Sequence, residues 1–275
     1  PTALKGLQAH FSQVKGTGIE SDTINQGNST KKWKVSFWVD RNHIRIDKTP
    51  ISIEGSQVKD VTLITCINDD IIFKAEKQPG VAPPVLRGLE KANNDRASAI
   101  LSNFRREFVY SPFVASNTID QILANPQVKF GKISEFESDG RKLIRVEFTR
   151  TFQGGNRTYN SEESIDLSPD EGWVLRSHTA RAGGGVFSAT VTYGDIENGI
   201  AKPRRGEIKT RQRTRTFEFE KINFEPTPDR EFTPEAVGLP KLDTPTTSQR
   251  NPAPYYFFGI AGGLAATATA LRIHG

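Results

Sequence analysis

KKWKVSFWVDRNHIRID, Lys31 to Asp47, alternates strictly enough to set its own backbone. Trp33, Val35, Phe37 and Val39 project to one side, and Lys34, Ser36, Trp38 and Asp40 to the other, which is the period of two of a half-buried strand. Asp40-Arg41-Asn42 breaks the pattern. Ile44 and Ile46 then resume an apolar row between His43, Arg45 and Asp47. The stretch reads as a hairpin with one apolar face, and the fold turns on what that face touches.

The same pattern recurs along the chain. ISIEGSQVKDVTLITCINDDIIFKAEK reads as strands broken at Glu54-Gly55 and at Asn68-Asp69-Asp70. VKFGKISEFESDGRKLIRVEFTR turns at Asp139-Gly140 and sets Ile144, Val146 and Phe148 on one face. TYNSEESIDLSPDEGWVLRSHTARA turns at Pro169-Asp170-Glu171-Gly172. GVFSATVTYGDI sets Phe187, Ala189, Val191 and Tyr193 against Ser188, Thr190 and Thr192. In EIKTRQRTRTFEFEKINFEP the phase slips between Phe219 and Ile222, which predicts a bulge. Helical spacing is confined to three places. LKGLQAHFSQVKG places Leu4, Leu7, Phe11 and Val14 on one stripe, LEKANNDRASAILSNFRREFVY is helical in part, and Asn117 caps a short helix over 118–123 that Pro126 closes. VAPPVLRG reads as a loop, because adjacent prolines suit neither helix nor ladder. The expected class is mostly β (α+β), an antiparallel sheet of about ten strands. Two or three helical segments cannot cover both faces of such a sheet, so it must curl, as a barrel or around helices used as a plug.

Composition narrows the function. Within 275 residues, 35% are hydrophobic and 25% charged, so the body is globular with a polar surface. A net charge of +5 favours anionic partners without demanding nucleic acid. Cys66 is the single cysteine, so no internal disulfide forms, and its place in VTLITCIND is that of a packed strand residue. The chain starts at Pro1 and contains no methionine, so its true N-terminus is expected to lie upstream, and the start at Pro1 does not argue against a signal peptide. LDTPTTSQRNPAP reads as a spacer. Beyond it, Tyr255 to Leu271 carries no charge and as a helix would span about 25 Å, close to the minimum for a hydrocarbon core. Tyr255 and Tyr256 sit where interfacial aromatics belong, and Arg272 follows. The expected organisation is a β-domain over 1–240, a linker over 241–254 and a transmembrane anchor over 255–272. Arg272 favours a cytoplasmic C-terminus, which places the β-domain on the extracytoplasmic, periplasmic side of the cell membrane.

Signatures of catalysis are missing from the sequence. His10, His43, His178 and His274 are scattered and keep no zinc spacing. There is no Gly-x-Ser-x-Gly elbow and no Walker loop, and Gly183-Gly184-Gly185 reads as a turn. No metal, cofactor or nucleic-acid partner is expected, and the protein is read as a non-enzyme. In KTRQRTR, Lys209, Arg211, Arg213 and Arg215 alternate with polar neighbours, and one strand through the run would set all four cations on one face. Two readings stay open: a solvated face that blunts edge pairing, or a contact with anionic headgroups, each cation contributing ~1 kcal/mol near an acidic surface.

Several phrases taken in order resemble the lipoprotein-carrier fold, the LolA/LolB family and its relatives. They are LKGLQAHFSQVKG leading into WKVSFWVDRNHIRID with its Arg-x-Asp phrase, IDQILANPQVKF, SIDLSPDEGWVLRSH with its Gly-Trp strand, and NFEPTPDREFTPEAVGLPKL. The resemblance implies an unclosed antiparallel β-barrel with helices in its concave mouth, over a cavity that takes acyl chains. On that reading Val35, Phe37, Val39, Ile144, Val146, Phe148, Phe187 and Val191 line the cavity or pack on its helical plug. Lys209, Arg211, Arg213 and Arg215 contact headgroups. The function implied is non-enzymatic binding of an acyl chain, a lipoprotein or another apolar ligand at the cell envelope. The alternative is an envelope sensor or scaffold that binds a protein partner and fills the cavity with its own side chains. An open cavity lined by Val, Phe and Ile favours the first, a filled core with an outer apolar patch the second. A buried polar cluster with convergent carboxylates would favour an enzyme.

Overall fold

Alternation from Gln13 to Asp40 produces β1 (Gln13–Ile24) and β2 (Ser29–Asp40), and the chain then continues in hairpins. The computed structural model describes residues 7, 10–25, 27, 29–53, 60–81, 83–92, 100, 113–114, 117–154 and 157–243. β3 (His43–Ile53), β4 (Thr62–Ile67), β5 (Ile71–Lys77) and β6 (Val85–Lys91) complete the first half. The short pair β7 (Phe113–Val114) and β8 (Asn117–Thr118) leads into the helix α1 (Ile119–Ala124). The second half is β9 (Val128–Ser138), β10 (Arg141–Gly154), β11 (Arg157–Ser168), β12 (Val174–Ala182), β13 (Gly185–Glu197), β14 (Ile200–Lys209) and β15 (Arg213–Asn223).

Thirteen strands form one sheet in the order β6-β5-β4-β3-β2-β1-β15-β14-β13-β12-β11-β10-β9. Every pairing is antiparallel. β1 pairs with β15 in the interior of the sheet, so the two halves of the chain meet along one seam. β6 and β9 are the edges, and the sheet is unclosed, as expected. The strand count exceeds the expected ten. One reason is β6: Val85–Gly88, read as part of a loop, is strand, and Pro83-Pro84 lies just before it and so outside its ladder. Leu89–Lys91, read as helical, belongs to this strand. The predicted bulge is present where Thr17 pairs with Lys221 but Gly18 pairs with Phe219, leaving Glu220 extra. Asp139 and Gly140 take positive φ of 53 and 69, the turn whose twist matches that of the flanking strands.

Directly opposed residues of an antiparallel ladder share a face, so the register sorts the side chains. One face, called inner below, carries Val35, Phe37 and Val39 of β2, Ile44 and Ile46 of β3 and Phe217 of β15, together with Leu7, Phe11 and Val14 of the N-terminal segment in one core. Ala189, Val191 and Tyr193 of β13 belong to the same core. Further along the inner face, Ile119 and Ile122 of α1 pack on Phe148, Ile165, Leu167 and Leu175. The N-terminal segment and α1 thus lie on one face of the sheet.

The outer face is covered over β4 and β5 by the chain's last described stretch, where Phe232, Val237 and Leu239 pack on Ile64, Cys66, Phe73 and Ala75. The Phe232 carbonyl accepts from Cys66 Sγ at 3.3 Å and from Asn68 Nδ2 at 3.0 Å. The Arg-x-Asp phrase has its place here: Arg45 donates to both carboxylate oxygens of Asp47 at 3.0 and 2.7 Å, stacks 4.5 Å from the Trp38 ring and reaches the Glu231 carbonyl at 3.4 Å. Among the described residues no helix is long and apolar enough to cross a membrane. The expected anchor lies outside the described residues, as do most of the expected linker and the Glu54-Gly55 break.

Candidate functional site on the inner face

The inner face is not uniformly apolar. One register row crosses nine strands: Lys31, Asp22, Arg215, Ile208, Ala189, His178, Ile165, Val146 and Ile133. It divides into a charged end and an apolar end, with His178 inside the latter.

At the charged end, Asp22 and Glu20 of β1 are buried. Asp22 pairs with Arg213, and Arg215 stands 3.6 Å from Glu20 and 3.8 Å from Asp22. Lys48 of β3 reaches Glu20 at 2.7 Å. Two carboxylates therefore hold three cations on a desolvated surface, where each ion is tolerable only because it is paired. This corrects the reading of KTRQRTR. The run is not one strand: β14 ends at Lys209, and Thr210 closes a turn by accepting from the Arg213 amide through Oγ1 at 3.1 Å. Lys209 lies on the outer face opposite Thr214 and Ser188 and pairs with Glu207 at 2.6 Å, Arg211 is exposed in the turn, and only Arg213 and Arg215 point inward.

The expected cavity-lining residues also divide. Val35, Phe37, Val39, Phe148 and Val191 are at most 3% exposed and packed among their neighbours, while Ile144, Val146 and Phe187 remain half-buried. The opening apolar stretch thus touches protein: Phe37 meets the rings of Phe217 and Phe219 edge-on at 6.1 and 6.2 Å, with Leu7 and Phe11 in the same core. Apolar surface of the inner face that is not fully buried remains at Ile208 and Phe187, packed beside the first core, at Val146 and Ile144, and at Phe130 and Ile133, which are 45% and 66% exposed at the β9 edge. These residues are called the strip below. Ile208, Phe130 and Ile133 were missed by the sequence reading, although the β9–β10 hairpin register, set by Asp139-Gly140, places Ile133 opposite Val146.

Beside this strip lies a buried polar cluster that sequence reasoning also missed. Glu163 accepts from Arg150 Nε at 2.9 Å and from the Ser161 hydroxyl at 2.6 Å through one oxygen, and its other oxygen lies 2.9 Å from His178 Nε2. Burial disfavours the Glu163 carboxylate, but the bonds from His178 and Ser161 and the charge of Arg150 outweigh it and hold its pKa below the usual value. The order of the groups decides their chemistry. A hydrolytic triad sets imidazole between hydroxyl and carboxylate. Here the carboxylate stands between hydroxyl and imidazole, so Ser161 donates to Glu163 and gains no base. Cys66 is no nucleophile either: burial pushes its thiol up to about 12. Among the described residues no group of His, Cys, Asp and Glu could hold a metal ion.

The sequence matches no family model and no curated protein. The chain is similar to a solved structure described as an outer membrane lipoprotein-sorting protein domain from Vibrio parahaemolyticus, at 9% identity over 86% of this chain and 97% of that one, with a TM-score of 0.46. It is similar also to a DUF1329 family protein from Desulfovibrio piger, at 9% identity over 86% of this chain and 96% of that one, with a TM-score of 0.47.

Proposed function

We propose that the domain binds an apolar ligand, such as the acyl chain of a lipid or lipoprotein, on the inner face and without covalent chemistry. The observation that carries this reading is the set Ile208, Phe187, Val146 and Ile144, half-buried on the inner face together with the exposed Phe130 and Ile133, while Val35, Phe37, Val39, Phe148 and Val191 are fully packed. A chain laid along it would remove apolar surface from water, worth ~25 cal/mol per Å². The ion pairs of Asp22 and Glu20 with Arg213 and Arg215 lie at the end of the strip, where a headgroup would rest. The tail over 255–272 would hold the domain at the cell membrane, on its extracytoplasmic side. A second reading has its own support: Val35, Phe37, Val39 and Val191 fill the core beneath the N-terminal segment, as in a scaffold that binds a protein partner.

Titration with a fluorescent fatty-acid probe tests the choice. The expected result is saturable binding, weakened about tenfold or more by Val146→Glu or Phe187→Glu with the thermal transition kept, since a carboxylate against hydrocarbon costs at least that. A folded protein that shows no saturable signal supports the scaffold.

A further inference from the structure

The apolar end of the register row contains one polar side chain. Between Arg215 and the β9 edge the row reads Ile208, Ala189, His178, Ile165, Val146 and Ile133. His178 is 1% exposed, and its Nε2 lies 2.9 Å from Glu163. An ionised carboxylate can only accept, so Nε2 carries the proton and donates it. In the neutral ring the lone pair is then on Nδ1. That atom is buried and has no hydrogen-bond partner. A buried acceptor left unmet is costly, and native structures seldom keep one without reason. Ala189 and Ile165 oppose it and Ala180 lies two residues on, while Arg176, two residues the other way, is engaged by Glu171 and by the Tyr193 ring. The half-buried Phe187 ring, itself part of the open strip, lies 5.4 Å from the His178 ring.

We propose that His178 Nδ1 accepts a hydrogen bond from a donor on the ligand, so that the site takes an acyl amphiphile bearing a hydroxyl or amide N–H near its chain in preference to a plain hydrocarbon chain. This rests on the acyl-binding reading and specifies its ligand. Glu163 is a positioning residue: it fixes the tautomer, and Arg150 and Ser161 fix Glu163. Phe187 is the side chain that must turn aside for the donor to reach the ring.

Competition of stearate and hydroxystearate against the fluorescent fatty-acid probe at pH 8 tests the proposal. Hydroxystearate is expected to bind about tenfold more tightly, the worth of one buried hydrogen bond. His178→Phe, which keeps an aromatic ring and removes the acceptor, is expected to abolish the preference while stearate still binds. Nitrogen NMR of the unsubstituted protein gives a reading independent of any variant's folding: the Nδ1 resonance of His178 should move with hydroxystearate and stay with stearate. If stearate competes but the two affinities are equal, if the preference survives in His178→Phe, or if the Nδ1 resonance ignores hydroxystearate, the proposal falls and the acyl-binding reading stands. If neither acid displaces the probe or binds directly, both fall.

Discussion

Two glycines show how far a single atom matters in β1. A Cβ on Gly18 would lie 2.2 Å from the Glu218 carbonyl oxygen and 2.9 Å from the Phe217 ring, and one on Gly16 would lie 2.5 Å from the Lys221 oxygen and 2.8 Å from Phe37. The rings of Phe37 and Phe217 occupy the space the missing side chains leave. Gly18→Ala is therefore expected to destabilise by about 1–3 kcal/mol through overpacking. Gly194→Ala, with nothing within 4 Å, should be near neutral, and paired thermal melts will compare them. Glu163 makes a second residue-scale case. Its folded pKa is lowered, so its contribution is present above the ordinary carboxylate range and is lost as pH falls through the lowered value. Glu171, held down by Arg176 and Arg141 against its own burial, acts in the same sense. Acid denaturation curves should show a shallower loss of stability below pH ~4.5 for Glu163→Gln than for the unsubstituted chain.

At the level of elements, the C-terminal stretch around Phe232 acts as a cover for β4 and β5. Cys66 reports on it directly, being 0% exposed beneath Phe232 with its thiol raised. A disulfide reagent at pH 8 should find Cys66 unreactive. Phe232→Ala is expected to cost ~3–5 kcal/mol and to raise the labelling rate well before global unfolding. Unchanged protection would show that the cover does not depend on this anchor. Most elements were legible because one face of each hairpin is buried and the pattern of two survives: Trp33 to Val39, Phe187 to Tyr193 and the slip after Phe219 all appear as read. The reading of KTRQRTR as one strand failed for physical reasons. The Thr210 turn has no glycine, proline or Asn-Gly, and its closure by a threonine hydroxyl is a weak signal inside alternating cations. The partners of Arg213 and Arg215 sit in β1, so no local pattern could show them. The His178–Glu163 pair was hidden for another reason: counted from the turn at Pro169, Ser177 would oppose Ile165, and a bulge that leaves Arg176 extra brings His178 there instead, on the face that Glu163 shares.

For the whole molecule the decisive feature is the seam of β1 and β15. Ten register pairs join residues 15–24 to 213–223, so the longest-range contacts close the sheet's interior and not its rim. A chain cut before Arg213 should lose the seam, the partners of Asp22 and the ring of Phe217 together. It is expected to show no cooperative thermal transition, whereas a chain ending after residue 243 should melt as one unit. Refolding should be slow, on the order of milliseconds to seconds or beyond, because loop closure precedes the reward of the pairing.

The same seam sets a timetable for the chain as it is made. Synthesis delivers β1 first and β15 nearly last, so the edge of β1 facing the seam stays unpaired throughout elongation. The sheet stays unfinished until β15, residues 213–223 of the 275, has emerged. Until the final strand arrives, that unpaired margin is the surface through which one unfinished copy would stick to another.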